Sequence, residues 1–248
     1  MQSKLKRLIS TLLAVALVFG LFTVMPQRVC ADWAVALETE ANSFKVFQKV
    51  NTYESGQFTD VDKNAWYGFN QQKSVASVYE YSLMKGVNAA NFNPSGNMTI
   101  AEAITIAARV HSIYKGVSVD FTQSEPWYQV YADYAVDNGI ISAADFPDID
   151  KAATRAEMAY IFSRTSVPIL LYYFSVNGYS PNTVNSLPDV NSETPYHKEI
   201  ITLYMAGVLT GNDDEGTFSP DSDITRAEAA AIIIRVIMPG TRVSGNVY

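Results

Sequence analysis

Cysteine occurs once in the 248 residues, at Cys30, and histidine only twice, at His111 and His197. A single cysteine excludes an internal disulfide framework, and two distant histidines provide neither a metal set nor a nucleophile–base pair. Gly-x-Ser-x-Gly, His-Glu-x-x-His and the phosphate-loop pattern are missing, so hydrolase, metalloprotease and nucleotide chemistry lose their usual sequence support. Carboxylates are plentiful, but no pair is singled out by its context, and a two-carboxylate glycosidase has nothing to rest on. The expectation is a protein that is not an enzyme and takes no cofactor or metal.

Positive charge is also scarce, with 18 Lys and Arg against 25 Asp and Glu. Four of the basic residues precede position 32. Lys4, Lys6 and Arg7, a mainly apolar stretch from Leu8 to Phe22, and Val29-Cys30-Ala31 read as a secretory leader over residues 1–31. The apolar stretch is shorter than the ~20 residues a membrane span needs, so the mature chain is expected to have no transmembrane segment. Gln27 and Val29 do not fit the small residues that precede a lipidated cysteine. Cleavage after Ala31 leaves 14 basic against 25 acidic residues, a net charge of −11, and no cysteine. That balance argues against nucleic acid as a partner, and stability must come from packing.

Helical periodicity then recurs. Phe58-Thr59-Asp60-Val61 with Trp66, Phe121-Thr122 with Trp127, and Leu187-Pro188-Asp189-Val190 with Tyr196 each open a segment. Each is followed by an amphipathic run that stops at a glycine: Gly86, Gly139 or Gly207. After a polar loop come Thr99-Ile100-Ala101-Glu102, Thr154-Arg155-Ala156-Glu157 and Thr225-Arg226-Ala227-Glu228, each with the Thr and Glu spacing of a capping box. The helices they open are too apolar to stand alone; Ala229, Ala230, Ile232, Ile233, Ile234, Val236 and Ile237 leave little polar face. The spacing predicts an all-α fold in which three helix-loop-helix repeats form a pseudo-threefold bundle with a central three-helix core. Expected boundaries are an amphipathic lead-in helix at 32–57, repeats at 58–118, 119–168 and 187–242, a connector at 169–186 and a tail at 243–248. Asn212-Asp213-Asp214-Glu215-Gly216 superficially resembles a calcium loop. Aligning Gly216 with the sixth position puts Gly211 first and Ser222 twelfth, so both anchoring carboxylates are missing.

Together, the Phe-Thr-Asp-Val opening with its downstream Trp, the Gly-Val helix stop, Gly216-Thr217-Phe218-Ser219-Pro220-Asp221 and Ile224-Thr225-Arg226-Ala227-Glu228 resemble the S-layer homology family over about residues 58–242. The resemblance implies non-covalent attachment of an exported protein to the cell wall or S-layer. The implied partner is an anionic, pyruvylated secondary cell-wall polysaccharide linked to peptidoglycan, bound in grooves between repeats. The alternative is a structural surface-layer role, or docking of other surface proteins, without direct glycan binding. A capping box explains Thr and Glu but not Arg, and an Arg at a helix start adds a planar fork matched to a carboxylate. The ligand-binding set the resemblance implies is Arg155, Arg226, Glu157, Glu228, Thr154, Thr225, Trp66, Trp127, Asp60, Asp189 and Tyr196. Ile100 replaces Arg in the first copy, Gln123-Ser124 replaces Asp-Val in the second, and Tyr196 is taken to replace Trp in the third. The grooves that receive Arg155 and Arg226 are therefore the expected sites, and changing either Arg to Ala is expected to spare the fold.

Overall fold

The computed structural model describes residues 44–119, 121–122, 124–165 and 187–243. The leader, the start of the lead-in, the connector and the end of the tail lie outside them. The described residues contain six α-helices and no strand: α1 (Ser74–Glu80), α2 (Ile100–Lys115), α3 (Gln129–Asp137), α4 (Arg155–Ser163), α5 (His197–Met205) and α6 (Arg226–Ile237).

The three apolar helices begin where the capping boxes predict. In α2, α4 and α6 the N-cap is Thr99, Thr154 or Thr225; its hydroxyl accepts from the amide three residues on, and the Glu at that position accepts from the N-cap amide. Nearly the whole of α6 is buried, as is most of α2. The other three helices have no side-chain N-cap. Their ends match expectation at Gly139 (φ 67°) and Gly207 (φ 71°), but α1 stops at Ser82 (φ 57°) rather than at Gly86. Gly86 is needed for close approach: a Cβ there would lie 2.4 Å from the Asn88 carbonyl oxygen and 2.6 Å from the Phe58 ring. Gly211 is pressed in the same way against Gly216.

The helix starts interlock in a closed ring. The amides of Ile100 and Ala101 donate to the Lys151 and Ile149 carbonyls, just ahead of α4. Those of Arg155 and Ala156 donate to Ser222 and Pro220, ahead of α6, and those of Arg226 and Ala227 donate to Gly96 and Pro94, ahead of α2. Three isolated antiparallel bridges, Asn97 with Thr225, Thr99 with Ala152 and Thr154 with Asp223, mark the same junctions. The largest helix contacts are cyclic as well: α2 packs on α3, α4 on α5, and α6 returns to α1. Each outer helix therefore packs chiefly on the apolar helix that precedes it around the ring, and not on its sequence partner across the polar loop.

In its described part the lead-in is not the expected helix. Phe44–Val46 form one 3₁₀ turn, and the chain then runs without helix to Gln57. This strap finishes α1: the amides of Val50 and Asn51 both donate to the Glu80 carbonyl, and Asn51 Nδ2 donates to that of Tyr79. Its own Phe47 and Tyr53 are buried.

Ile233 in α6 has no solvent exposure. Ile233→Asp would bury an unpaired carboxylate and should remove roughly 4 kcal/mol or more of stability. Urea denaturation followed by circular dichroism checks this; an unchanged midpoint would show that α6 is not a core element.

Candidate functional site

Neither Arg155 nor Arg226 faces solvent. They are 5% and 6% exposed. Arg155 Nη1 donates to Glu228 Oε1 at 2.7 Å, Nε to the Phe218 carbonyl at 2.7 Å and Nη2 to the Thr210 carbonyl at 3.2 Å. Arg226 repeats the pattern with Glu102 Oε1 (2.7 Å), the Phe92 carbonyl (2.9 Å) and the Lys85 carbonyl (2.8 Å). Each guanidinium lies near the ring of a buried Phe, Phe218 or Phe92, at 4.7 and 5.0 Å. Burial pulls the Arg226 pKa down while Glu102 opposes the shift. The Arg of each Thr-Arg-Ala-Glu thus pairs with a capping Glu of a different helix, and the fork matched to a carboxylate finds one inside the protein.

The helix starts offer no open amides either. In α2, α4 and α6 the N-cap and third amides are held by the capping box, and the first and second by carbonyls of the neighbouring loop. The partial positive charge expected to receive an anion is already satisfied. Asp60 and Asp189 are likewise occupied: Asp60 accepts from the Phe92 and Asn93 amides, and Asp189 from those of Phe218 and Ser219. They clasp the loops on which Asn93 and Ser219 take positive φ.

Among the grooves formed by the described residues, two are built alike. The first, about 290 Å³, has Trp66 and Gln72 on one wall, Leu209–Asn212 on the other, and Glu228, Ala231, Ile232 and Arg235 of α6 along its floor, with Arg155 at one end. The second, about 190 Å³, has Trp127 opposite Met84–Val87, a floor of Glu102, Thr105, Ile106 and Arg109 from α2, and Arg226 at its end. The floor residues hold identical spacings on the two helices. Trp66 and Trp127 are 44% and 46% exposed, an unusual state for indoles with no other described role. Floor arginines recur nine residues after the first helical position, as Arg109, Arg164 and Arg235, a regularity visible in the sequence that the motif-based set lacks.

The third junction presents a different side chain to its neighbour. Tyr160 of α4 stands where Ala231 and Thr105 stand in the others; its ring lies 4.6 Å from that of Tyr196 and under the Arg164 guanidinium at 4.1 Å. Burial and the hydrogen bond to Asp145 push the Tyr160 hydroxyl up to about 12. With Ile100 in place of an Arg, Glu157 pairs instead with Lys151 of the loop just ahead of its own helix, at 2.7 Å. Tyr196 is also not the replacement for a Trp. It is the N-cap of α5, as Tyr128 is of α3, and each lies eleven residues before its stop glycine, so Pro195 occupies the Trp position.

His111 is buried, its Nδ1 2.9 Å from the Tyr134 hydroxyl, and burial pushes its pKa down with Lys115 adding to the effect. In the acidic loop, Asp213 Oδ1 accepts from the Thr217 amide and Asn212 Nδ2 donates to the Phe218 carbonyl, so these groups serve the turn itself.

These contacts reverse the expectation that Arg→Ala spares the fold. Arg155→Ala should cost roughly 2 to 3 kcal/mol, below the 3–5 of a fully buried pair because Glu228 keeps 27% exposure. In a double-mutant cycle by chemical denaturation, Arg155→Ala and Glu228→Gln should be strongly non-additive; additivity would mean the pair does not couple.

Residues 57–104 and 186–230 match the S-layer homology domain family. The stretch between them, which holds Thr154–Glu157, lies outside both matches. The chain is 27% identical over 191 residues to the surface-layer 125 kDa protein of Lysinibacillus sphaericus, covering 74% of this chain and 15% of that protein. It is 29% identical over 169 residues to a cellulosome-anchoring protein of Acetivibrio thermocellus, covering 64% of this chain and 36% of that protein. An endoglucanase of Bacillus sp. (strain KSM-635) is 23% identical over 235 residues, which cover 93% of this chain but 22% of the enzyme. The chain thus spans well under half the length of these relatives. Among the described residues no helix is long and apolar enough to cross a membrane. With S-layer homology segments at two places and a surface-layer and an anchoring protein among its relatives, the chain is a secreted, cell-surface protein.

Proposed function

We propose that this chain is a non-covalent cell-wall anchoring module made of three S-layer homology repeats in a pseudo-threefold ring, binding a pyruvylated secondary cell-wall polysaccharide in two of its three inter-repeat grooves. The observation that carries this reading is the matched pair of grooves, each with a half-exposed Trp facing a backbone wall across a polar floor. An indole face of that kind stacks on the apolar face of a pyranose ring, while Gln72, Thr210 and Asn212, or Lys85 and Arg109, are placed to meet hydroxyl and carboxylate oxygens. The buried arginines support the site by holding the two groove walls together, acting through Thr210 and Lys85. Tyr160, packed between Tyr196 and Arg164 at the third junction, argues for two ligands per chain. Surface-layer and anchoring relatives fit a module of this kind carried by many different proteins.

Wall sacculi, before and after extraction of the secondary polymer, test the reading. The protein should sediment with intact sacculi and stay in solution with extracted ones. Trp66→Ala and Trp127→Ala should each weaken binding about tenfold with an unchanged thermal midpoint, since both side chains are largely outside the core. Calorimetry with short polymer fragments should count two sites. Equal sedimentation with extracted sacculi would favour a structural or partner-docking role instead.

A further inference from the structure

The two grooves share a plan but not a charge. At the wall position where the first groove has Thr210, the second has Lys85. On the floor, Ala231 is matched by Thr105, and Arg235 by Arg109. Arg235 is 9% exposed, with Nη1 on the Val208 carbonyl and Nη2 on Gln72 Oε1. Arg109 is half-buried and is held at one nitrogen only, Nη2, by the Tyr131 hydroxyl, over whose ring it lies. Among the described residues the Lys85 ammonium has no partner, and the buried Thr105 hydroxyl has none either. The one carboxylate lining this groove, Glu102, already spends one oxygen on Arg226 and the other on the Thr99 amide. On a chain with a large acidic excess, two cations and an orphan hydroxyl are thus gathered in one groove, whereas the other presents neutral polar groups around a committed arginine.

We infer that the grooves divide the ligand: the Trp127 groove takes the carboxylate-bearing sugar through Lys85, Arg109 and Thr105, and the Trp66 groove takes a neutral sugar. This rests on the anchoring reading above. It makes Lys85 and Arg109, rather than the buried Arg226 and Arg155, the residues that set the preference for an anionic polymer. Lys85 supplies a mobile charge at the rim; Arg109 has donors left to aim at a carboxylate from the floor.

The probes are wall polysaccharide stripped from sacculi and the same material after chemical reduction of its carboxyl groups, with affinities measured at two salt concentrations. The unsubstituted protein should prefer the untreated polymer by about tenfold or more, and lose that preference as salt rises. Lys85→Thr with Arg109→Gln should bind both polymers alike, at the level of the reduced one. Lys85→Thr alone, at an exposed position that cannot unfold the chain, should give about half of the effect on a logarithmic scale. Thr105→Val should weaken binding with no loss of thermal stability, because it removes an unsatisfied hydroxyl. Trp66→Ala should weaken binding to both polymers and preserve their ratio. Equal binding of both polymers by the unsubstituted protein, or a preference retained by the Lys85 and Arg109 variant, would overturn the division of roles. Binding of neither polymer would overturn the anchoring reading beneath it.

Discussion

Each capping glutamate has two oxygens, and the fold depends on how they are shared. Glu228 Oε2 accepts from the amide of its own N-cap, Thr225, while Oε1 receives Arg155 from another helix. Glu102 divides in the same way between Thr99 and Arg226, and Glu157 between Thr154 and Lys151. At the two junctions with an arginine, starting a helix and closing the ring are therefore one event: a carboxylate fixed by its capping box is already aimed at the neighbour's cation, and little additional side-chain entropy is lost when the pair forms. Paired twice, the carboxylate also makes burial of the arginine tolerable, since a buried charge is stable only when matched and hydrogen-bonded.

With the first-turn amides and the arginine fork consumed by the ring, the polar groups that line the grooves lie further along the helix and on the wall opposite. Three residues beyond the capping Glu the helices differ: Ala231 and Thr105 line grooves, and Tyr160 packs between Tyr196 and Arg164. That position varies without touching the capping boxes and ion pairs of the framework, so the plan can carry unequal grooves at little cost to folding.

Much of this was legible in the sequence because it is local. Helix starts at Thr99, Thr154 and Thr225, the stops at Gly139 and Gly207, and the apolar character of α6 each follow from a few adjacent residues. The partner of each arginine was not legible, since Arg155 meets Glu228 and Arg226 meets Glu102 across 73 and 124 residues, and an isolated Thr-Arg-Ala-Glu reads equally well as an exposed first turn. Nearby glycines misled at α1, where Ser82 adopts the left-handed stop and Gly86 serves a tight crossing instead. Tyr196 misled because aromatic character alone cannot tell an N-cap neighbour from a groove wall; counting from Gly207 does. The floor arginines show the reverse case: their nine-residue spacing from the helix starts is plain in the sequence, but only the grooves give it meaning.

The contact of α6 with α1 sets an order of events in time. It joins the last helix of the ring to the first, and Arg226 cannot reach Glu102 until the chain between them is complete. Long-range closures of this kind form late, after the loop entropy of all intervening residues has been overcome. Until α6 has formed, α1 lacks the helix on which it chiefly packs and the ring stays open. Docking of α6 then joins the first and last helices of the ring and brings Arg226 to Glu102 in the same step.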